Sequence, residues 1–361
     1  MSKLEGRSKT HVKAINLALQ GGGSHGAFTW GVLDRLFEDG RIWIDGISGT
    51  SAGALNMVVA AQGMYEGGGA GARLELEKFW RAVAKIGEKS PIQRGLMDRW
   101  MGSWSLDHSP GYLMMDLISR LASPYDLNPL NANPLRDLVE EFVDFGKVRD
   151  CQDMLVYVSA TEIESGRVRV FHRDEISLDA VMASACLPFM FQAVEIDGVP
   201  YWDGGYMGNP VLFPLIDHSP SADIVVVQIN PVRREGTPRS AREIMNRVNE
   251  ITFNASLLHE LENILFIDQL LEEGRLEEDS RRKIHLHLIE SSKKMMPLGA
   301  SSKVNTEWNF LVHLKDLGRE AADQWLATHF NALGVRSSVD ISAMLGGGRP
   351  LRARASKAKT R

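Results

Sequence analysis

Apolar and polar positions follow a strand–helix alternation over the first sixty residues. Residues 14–19 form an apolar run that ends in glycines, which predicts a buried strand. Between residues 26 and 36 the apolar side chains recur every three or four positions, as in an amphipathic helix. The pattern repeats with a short strand at 41–45 and an alanine-rich helix at 51–61. This alternation predicts a parallel sheet with crossover helices.

The second half of the chain continues the alternation. Apolar runs predict strands at residues 154–160, 167–171, 224–229 and 283–289, and helical spacing predicts helices at 134–143, 177–185 and 308–333. A long helix with one apolar face is predicted from the spacing of Ile244, Val248, Ile251, Ala255, Leu258 and Leu265. Because no repeat or low-complexity linker divides the chain, we favour a single domain.

Residues 63–130 interrupt this pattern. Five glycines at 63–71 predict a loop. The helical face predicted after it consists of Leu76, Phe79, Trp80 and Val83. Between residues 97 and 115, methionine and aromatic side chains crowd among Gly, Ser and Pro. Three interpretations of this stretch are open: a satellite core cluster, a lid or wall for a flexible apolar ligand, and a partner surface.

The composition excludes several classes of protein. Of the 361 residues, 44% are hydrophobic and 24% are charged, which is unlike disordered, collagenous or coiled-coil chains. A net charge of −5 argues against nucleic acid as a partner of the whole molecule. The basic stretch at 349–361 is interpreted as a solvated, disordered tail, with a weak contact to an anionic surface as the alternative.

Cysteine usage and hydropathy bear on the compartment. Cys151 and Cys186 lack CxxC spacing, so neither a disulfide framework nor a zinc site is predicted. Because free thiols fit a reducing compartment, we expect a cytoplasmic protein. The longest uncharged run, residues 46–65, contains four glycines and several polar side chains, so no transmembrane helix is predicted there. We expect membrane contact to be peripheral and transient.

A glycine-rich turn lies between the first strand and the first helix, and it consists of Gly21, Gly22, Gly23, Ser24, His25 and Gly26. Glycine permits a tight turn that points several backbone N–H groups at one spot, and the helix start adds partial positive charge. The turn therefore predicts an anion cradle. Its GxGxxG spacing, with Asp45 at the end of the next predicted strand, also fits a dinucleotide site.

A GxSxG sequence follows the second strand, and it consists of Gly49, Thr50, Ser51, Ala52 and Gly53. It matches a nucleophile elbow, in which a serine sits on a sharp strand-to-helix turn between small neighbours. A third motif, Asp203-Gly204-Gly205, follows an apparent hairpin and would place a carboxylate at a strand end. Each motif alone is also compatible with a simple turn.

The combination of the three motifs favours nucleophilic catalysis. A serine nucleophile needs a base for its proton and N–H donors for the oxyanion. Ser51 is the candidate nucleophile and Asp203 the candidate base, and the glycine turn is the candidate source of donors. The glycine turn and the elbow leave the carboxyl ends of neighbouring parallel strands, where open sheets bind ligands.

In this order the motifs resemble those of the patatin-like phospholipase family, and residues 183–205 resemble the family's stretch up to its catalytic aspartate. The resemblance covers residues 14–230 and implies a three-layer α/β/α fold with a mostly parallel sheet. It further implies a catalytic domain at 14–230 with a lid or insertion at 63–130. Residues 231–345 would complete or cap the same domain, and 346–361 would be the basic tail.

The resemblance also implies an activity. The chain would be a serine acyl hydrolase for lipid carboxylic esters: phospholipids, lysophospholipids or acylglycerols. Ser51 and Asp203 would form a dyad without a catalytic histidine. The oxyanion hole would lie in the glycine turn, with donors from Gly22, Gly23 and Ser24. No cofactor, metal or nucleic-acid partner is implied.

One position departs from the family's pattern, which usually has Arg or Lys where this chain has His25. Since an ordinary histidine is charged only below about pH 6.5, we hypothesise weaker activity or a pH-sensitive loop. Other readings are open. They are a Ser–Asp–His triad with His218, a Rossmann-type dinucleotide-binding protein, and a non-catalytic scaffold of the same fold.

Overall fold

A mixed sheet of eight strands organises the computed structural model, which describes residues 13–276 and 282–346. The strands are β1 (Lys13–Leu19), β2 (Ile42–Thr50), β3 (Leu155–Glu162), β4 (Val168–His172), β5 (Val194–Ile196), β6 (Val199–Asp203), β7 (Asp223–Val227) and β8 (His285–Ile289). Their order is β5-β6-β3-β2-β1-β7-β8, and β4 pairs with β3. Parallel pairing joins β3, β2, β1, β7 and β8, whereas β4, β5 and β6 pair antiparallel.

Helices follow most strands. They are α1 (Gly26–Asp39), α2 (Ala52–Gly87), α3 (Leu96–Trp100), α4 (Pro110–Ser119), α5 (Pro124–Leu127), α6 (Pro134–Phe142), α7 (Phe145–Asp150), α8 (Leu178–Ser184), α9 (Phe213–His218), α10 (Ala241–Glu272), α11 (Ser292–Met295), α12 (Trp308–His329) and α13 (Ile341–Met344). The elements that come late in the sequence pack with the earlier ones: β8 extends the sheet, and α12 packs on α1.

Alternate side chains of the buried strands point into two separate cores. In β1, Ile15 and Leu17 belong to a core with α1, α2 and α12, whereas Ala18 belongs to a core with α9, α10 and α13. In β7, Val225 faces the first core and Val226 the second. Because helices cover both faces of a mostly parallel sheet, the expected three-layer α/β/α fold is confirmed.

The second strand is longer than its apolar pattern predicts. β2 continues beyond Asp45 to Thr50, because residues 46–50 pair with β3 on one side and residues 46–49 with β1 on the other. Gly46 and Gly49 have weak strand propensity, and burial between two neighbouring strands overrides it. The prediction that Asp45 ends this strand is wrong. Asp45 lies about 16 Å of strand from the carboxyl end, at about 3.3 Å per residue.

The glycine-rich stretch at 63–71 is not an open loop. It lies within α2, where Gly67 and Gly68 (φ +61°) have non-helical backbone angles. The two arms of α2 approach closely there, since a Cβ on Gly63 would lie 2.5 Å from the Cα of Ala72. The glycines therefore permit a helical hairpin rather than a loop.

Two apolar surfaces are exposed against expectation. A satellite core at 97–115 is wrong for Met97, Trp100, Met101 and Met114, which are all at least half exposed. In α10, the predicted apolar face fails in the amino-terminal half, where Ile244, Val248 and Ile251 are exposed. The apolar side chains that α10 buries are instead Phe253, Leu257, Leu261 and Ile264. The spacing of apolar residues along α10 did not show which of its apolar side chains are exposed and which are buried.

No helix in the described ranges is both long and apolar enough to cross a bilayer. From residue 347 onward the predicted basic tail lies outside the described residues.

Candidate active site

The register of β3 brings the GxSxG and Asp-Gly-Gly motifs together. Ser159 of β3 pairs with Thr50, the last residue of β2, and the next residue, Ala160, pairs with Asp203, the last residue of β6. At Ala160, one edge of β3 pairs with β4. On the opposite edge, β6 pairs with β3 directly after the residue at which the pairing with β2 ends. Ser51 directly follows Thr50, so the serine and the aspartate meet at one point of the sheet.

Ser51 occupies the sharp turn expected of a nucleophile elbow. Its φ of +53° lies in the left-handed region, which is strained for a residue with a side chain. A Cβ on Gly49 would lie 2.6 Å from the Gly53 carbonyl oxygen, and one on Gly53 would lie 2.3 Å from that of Leu19. The turn therefore needs glycine at both positions. The Ser51 N–H donates to Ser184 Oγ at 2.8 Å, and this hydrogen bond helps to hold the elbow in place.

Asp203 is a buried carboxylate with a free oxygen. Its Oδ1 accepts from the Gly205 N–H at 2.7 Å, whereas Oδ2 has no partner of good geometry among the described residues. Burial raises the pKa of Asp203 to about 6, although the Gly205 N–H, the Ser51 hydroxyl and the Lys303 ammonium each lower it. A carboxyl with a pKa near neutrality is a stronger base than an ordinary aspartate.

Close packing holds the Asp-Gly-Gly turn in place. A Cβ on Gly204 would lie 2.1 Å from the Ser159 carbonyl oxygen, and one on Gly205 would lie 2.3 Å from the Phe253 ring. The Asp203 N–H donates to the Cys186 carbonyl at 2.8 Å. The carboxylate is therefore fixed by backbone contacts on both sides.

The glycine turn lies against the elbow. A Cβ on Gly21 would lie 2.7 Å from Ser51 Cβ, and one on Gly26 would lie 2.7 Å from Ala52 Cβ. The turn approaches the serine this closely because both positions lack side chains. Gly23 has a φ of +58°, which turns the backbone toward the helix start.

The amides of the turn divide into two groups. The Gly21 N–H donates to Asn209 Oδ1 at 2.6 Å, and the N–H groups of His25 and Gly26 donate within the turn. The remaining three amides have no acceptor within the described part of the chain, and they belong to Gly22, Gly23 and Ser24. These three are available to an external anion.

His25 is neutral in this environment. Burial and the nearby Lys303 ammonium lower the pKa of His25 to about 3, and its Nε2 lies 2.8 Å from Ser302 Oγ. It therefore cannot act as a cation at neutral pH, and the hypothesis that its titration makes the loop pH-sensitive loses its basis.

Sequence reasoning missed the residues that support the turn from distant parts of the chain. Asn209 accepts from Gly21, and Asn230 Nδ2 donates to the Gly21 carbonyl at 3.0 Å. Lys303 Nζ donates to Asn230 Oδ1 at 2.8 Å. No motif surrounds these residues, and tertiary packing alone brings them to the site.

Two later histidines, His218 and His287, have their contacts with other groups. His218 packs beside Tyr157 and His172, so it offers no base for the elbow. His287 bridges Asp223 and Ser338 at 2.9 Å each. Asp223 begins β7, at the edge opposite the glycine turn, and these serine, histidine and aspartate side chains tie β7 and β8 to the segment between α12 and α13.

Nothing in the geometry favours a nucleotide or metal site. Asp45 lies inside β2 rather than at the carboxyl edge where a ribose-binding acid would sit. Across residues 13–276 and 282–346, no group of three or more His, Cys, Asp or Glu side chains is placed to hold a metal ion.

One comparison with known proteins, at the level of sequence families, agrees with this geometry. The sequence model of the patatin-like phospholipase family matches residues 17–216, more than half of the chain. No curated protein matches. Similar solved structures include VipD from Legionella pneumophila, 13% identical with a TM-score of 0.32, covering 88% of this chain and 69% of that one. Another is the ExoU–SpcU complex of the Pseudomonas aeruginosa type III secretion system, 14% identical with a TM-score of 0.36, covering 90% and 53%.

The matched region includes the glycine turn, the GxSxG elbow and Asp203. This chain therefore belongs to the patatin-like phospholipase family, whose members are lipid ester hydrolases.

Proposed function

We propose that this chain is a serine acyl hydrolase that cleaves the carboxylic esters of lipids through a Ser51–Asp203 dyad and an acyl-enzyme. One observation carries the proposal: consecutive residues of β3 pair with the ends of β2 and β6, so the strained serine and the buried carboxylate adjoin. The glycine turn that carries the free amides packs against the elbow, through Gly21 at Ser51 and Gly26 at Ala52.

The reaction would run in two halves. Ser51 Oγ attacks the ester carbonyl carbon and its proton passes to Asp203 Oδ2. The tetrahedral intermediate then expels the alcohol, which takes the proton from Asp203. Water repeats the attack on the acyl-serine, again giving its proton to Asp203, and the proton returns to Ser51 as the acid leaves.

The oxyanion would be held by the amides of Gly22, Gly23 and Ser24. Each well-aligned donor of this kind contributes about 2.7–4 kcal/mol to the transition state in known enzymes. The Gly21 amide is already bound by Asn209, so it would shape the turn rather than contact the oxyanion.

The substrate class follows from the family and from an exposed apolar surface. We define the apolar cover as residues 96–130, which include α3, α4 and α5. Its most exposed side chains are Leu96, Trp100, Leu121 and Leu130, each at least 79% exposed. Helix α4 buries none of its residues. Such a surface suits phospholipid, lysophospholipid or acylglycerol substrates at a lipid–water interface.

The apolar cover is anchored near both halves of the site. On one side the Leu106 N–H donates to Ser301 Oγ at 3.1 Å, two residues from Lys303. On the other side Gln192 Nε2 donates to the Asn128 carbonyl at 2.7 Å, in the segment that leads to Asp203. We propose that the cover contacts the lipid surface peripherally and delivers lipid to the site.

Labelling with a fluorophosphonate probe tests the dyad. The wild-type protein should be labelled covalently and Ser51→Ala should not, because the probe traps an activated serine oxygen. Ser338→Ala is the matched control and should label like the wild type, since Ser338 is hydrogen-bonded to His287 and takes no part in the proposed dyad. Labelling that persists in Ser51→Ala would contradict the proposal.

A separate prediction concerns the apolar cover. Trp100→Glu and Leu121→Glu should each weaken binding to phosphatidylcholine vesicles about tenfold or more, because burying one large apolar side chain contributes about 1.5–3 kcal/mol. Hydrolysis of p-nitrophenyl butyrate, a water-soluble ester, should not change. Vesicle sedimentation and ester assays measure the two effects.

Val335→Glu serves as the control for vesicle binding, because Val335 is 66% exposed but lies beyond α12. Equal vesicle binding by all three variants and the wild type would show that the cover does not face lipid.

A further inference from the structure

Lys303 lies between the two loops that form the candidate site. Its carbonyl oxygen packs on the glycine turn, where a Cβ on Gly23 would lie only 2.4 Å away. Its ammonium donates to Asn230 Oδ1 at 2.8 Å and lies 5.3 Å from the centre of the Phe253 ring. The residue belongs to the short turn Ala300–Val304, outside the region that the family model matches.

Both partners of the ammonium lead directly into the site. Asn230 donates its Nδ2 to the Gly21 carbonyl at 3.0 Å, on the turn that carries the free amides. Phe253 fills the space beside Gly205, whose N–H holds Asp203 Oδ1. A substitution at Lys303 is therefore expected to affect both the glycine turn and the turn that holds the Asp203 carboxylate.

Lys303 and Asp203 also interact electrostatically. The Lys303 ammonium lowers the pKa of Asp203, and Asp203 in turn raises that of Lys303. Burial is the larger influence on the lysine and lowers its pKa to about 8, so most of it is charged at neutral pH. His25, on the facing side of the turn, is neutral.

The other ionisable groups near Lys303 and Asp203 do not substitute for the positive charge of Lys303. Glu250 faces Lys303 from α10, and it is paired with Arg234 at 2.5 Å and Arg247 at 3.1 Å. Beside Asp203, burial raises the pKa of Cys186 and of Tyr206 to about 12, so both are neutral near pH 7.

We propose that Lys303 is a positioning residue of the esterase site, whose ammonium supplies a positive charge near Asp203 and, through Asn230, holds the glycine turn in its amide-presenting shape. This inference rests on the proposed function. It gives a role in the reaction to a residue that lies beyond the region matched by the family model. It also explains how a turn whose own His25 is neutral has a cation beside it.

The pH dependence of kcat separates the two parts of this role. Asp203 must be ionised to accept a proton, so activity falls as pH drops through its pKa. Without a neighbouring cation that pKa rises, and the acidic limb moves to higher pH. The loss relative to the wild type is therefore larger at pH 6 than at pH 8.5.

Three variants distinguish charge from contact. Lys303→Gln keeps a donor for Asn230 without the charge, so its acidic limb should move up while its rate at pH 8.5 stays near that of the wild type. Lys303→Met should show the same shift and an additional loss at every pH. Lys303→Arg keeps the charge and should keep the acidic limb of the wild type.

The assay is p-nitrophenyl butyrate hydrolysis from pH 5 to 9, with fluorophosphonate labelling at pH 8.5 to count competent sites in each variant. An acidic limb that stays in place in Lys303→Gln would overturn the inference, even if the overall rate fell, because a merely structural role lowers the rate without moving the limb. A wild-type protein without Ser51-dependent hydrolysis would refute the proposed function and this inference with it.

Discussion

Replacing Asp203 by Asn should lower kcat/KM for ester hydrolysis by about 10²–10⁴-fold, the range typical of losing a general base. The amide cannot accept the Ser51 proton, yet its oxygen can still accept from the Gly205 N–H. Steady-state kinetics with p-nitrophenyl butyrate measure the loss. We also expect a melting temperature at pH 8 no lower than that of the wild type, because folding no longer buries an ionised carboxylate with a raised pKa.

Glu260→Gln is the matched control for this prediction. Burial raises the pKa of Glu260 to about 7, and its carboxylate accepts from the N–H groups of Leu212 and Phe213 rather than facing the serine. That variant should keep wild-type kcat/KM. A folded Asp203→Asn protein with ordinary activity would exclude the dyad.

The pH profile of the wild type provides an independent check. Since the pKa of Asp203 is raised to about 6, activity should be present above that pH and fall as pH drops through it. An unperturbed aspartate would place this limb near pH 3.9 instead. A limb near pH 4 would contradict a general base with a pKa raised by burial.

Gly23→Ala should reduce kcat by about 10²–10³-fold, the effect of losing a donor to the oxyanion. The new methyl group would lie 2.4 Å from the Lys303 carbonyl oxygen, and the φ of +58° is unfavourable for alanine. The turn must shift, and its amides then lose their alignment. Fluorophosphonate labelling and steady-state kinetics on the same preparation measure the effect.

Gly40→Ala is the control for backbone strain. Gly40 has a φ of +70° but no atom within 4 Å of its Cβ position, so alanine there adds strain without a clash. It should cost some stability and leave kcat unchanged. If Gly23→Ala keeps wild-type kcat, the amides of this turn do not hold the oxyanion.

The sequence indicated the tight turns at the candidate site, because each motif encodes its own turn, whereas the chemistry assigned to these turns stays a prediction. The glycines around Ser51 permit the elbow, and the glycine run permits the close approach of its amides. The α/β/α architecture followed from alternating apolar runs. The pairing of Ser51 with Asp203 was inferred from the order of the motifs, and the register of β3 supplies its physical basis.

What the sequence did not predict depends on long-range packing. Asn230 and Lys303 contact the glycine turn from more than 200 residues away, and no local pattern distinguishes them from other polar residues. The end of β2 and the buried face of α10 were also misplaced, because pairing and burial decided them rather than propensity. The neutral state of His25 likewise depends on burial that spacing does not show.

The pairing of Ser159 and Ala160 with two different strands limits what evolution can alter here. Ser51 and Asp203 are spaced by a backbone hydrogen-bond ladder, so loops elsewhere can lengthen or shrink without disturbing their separation. Within β6 the tolerance is small. Because successive side chains of a strand alternate, a slip of one residue would turn the Asp203 carboxylate to the other side of the sheet, away from Ser51. If the proposed dyad is correct, substrate range in this scaffold is therefore free to diverge through its surface segments while Ser51 and Asp203 stay fixed.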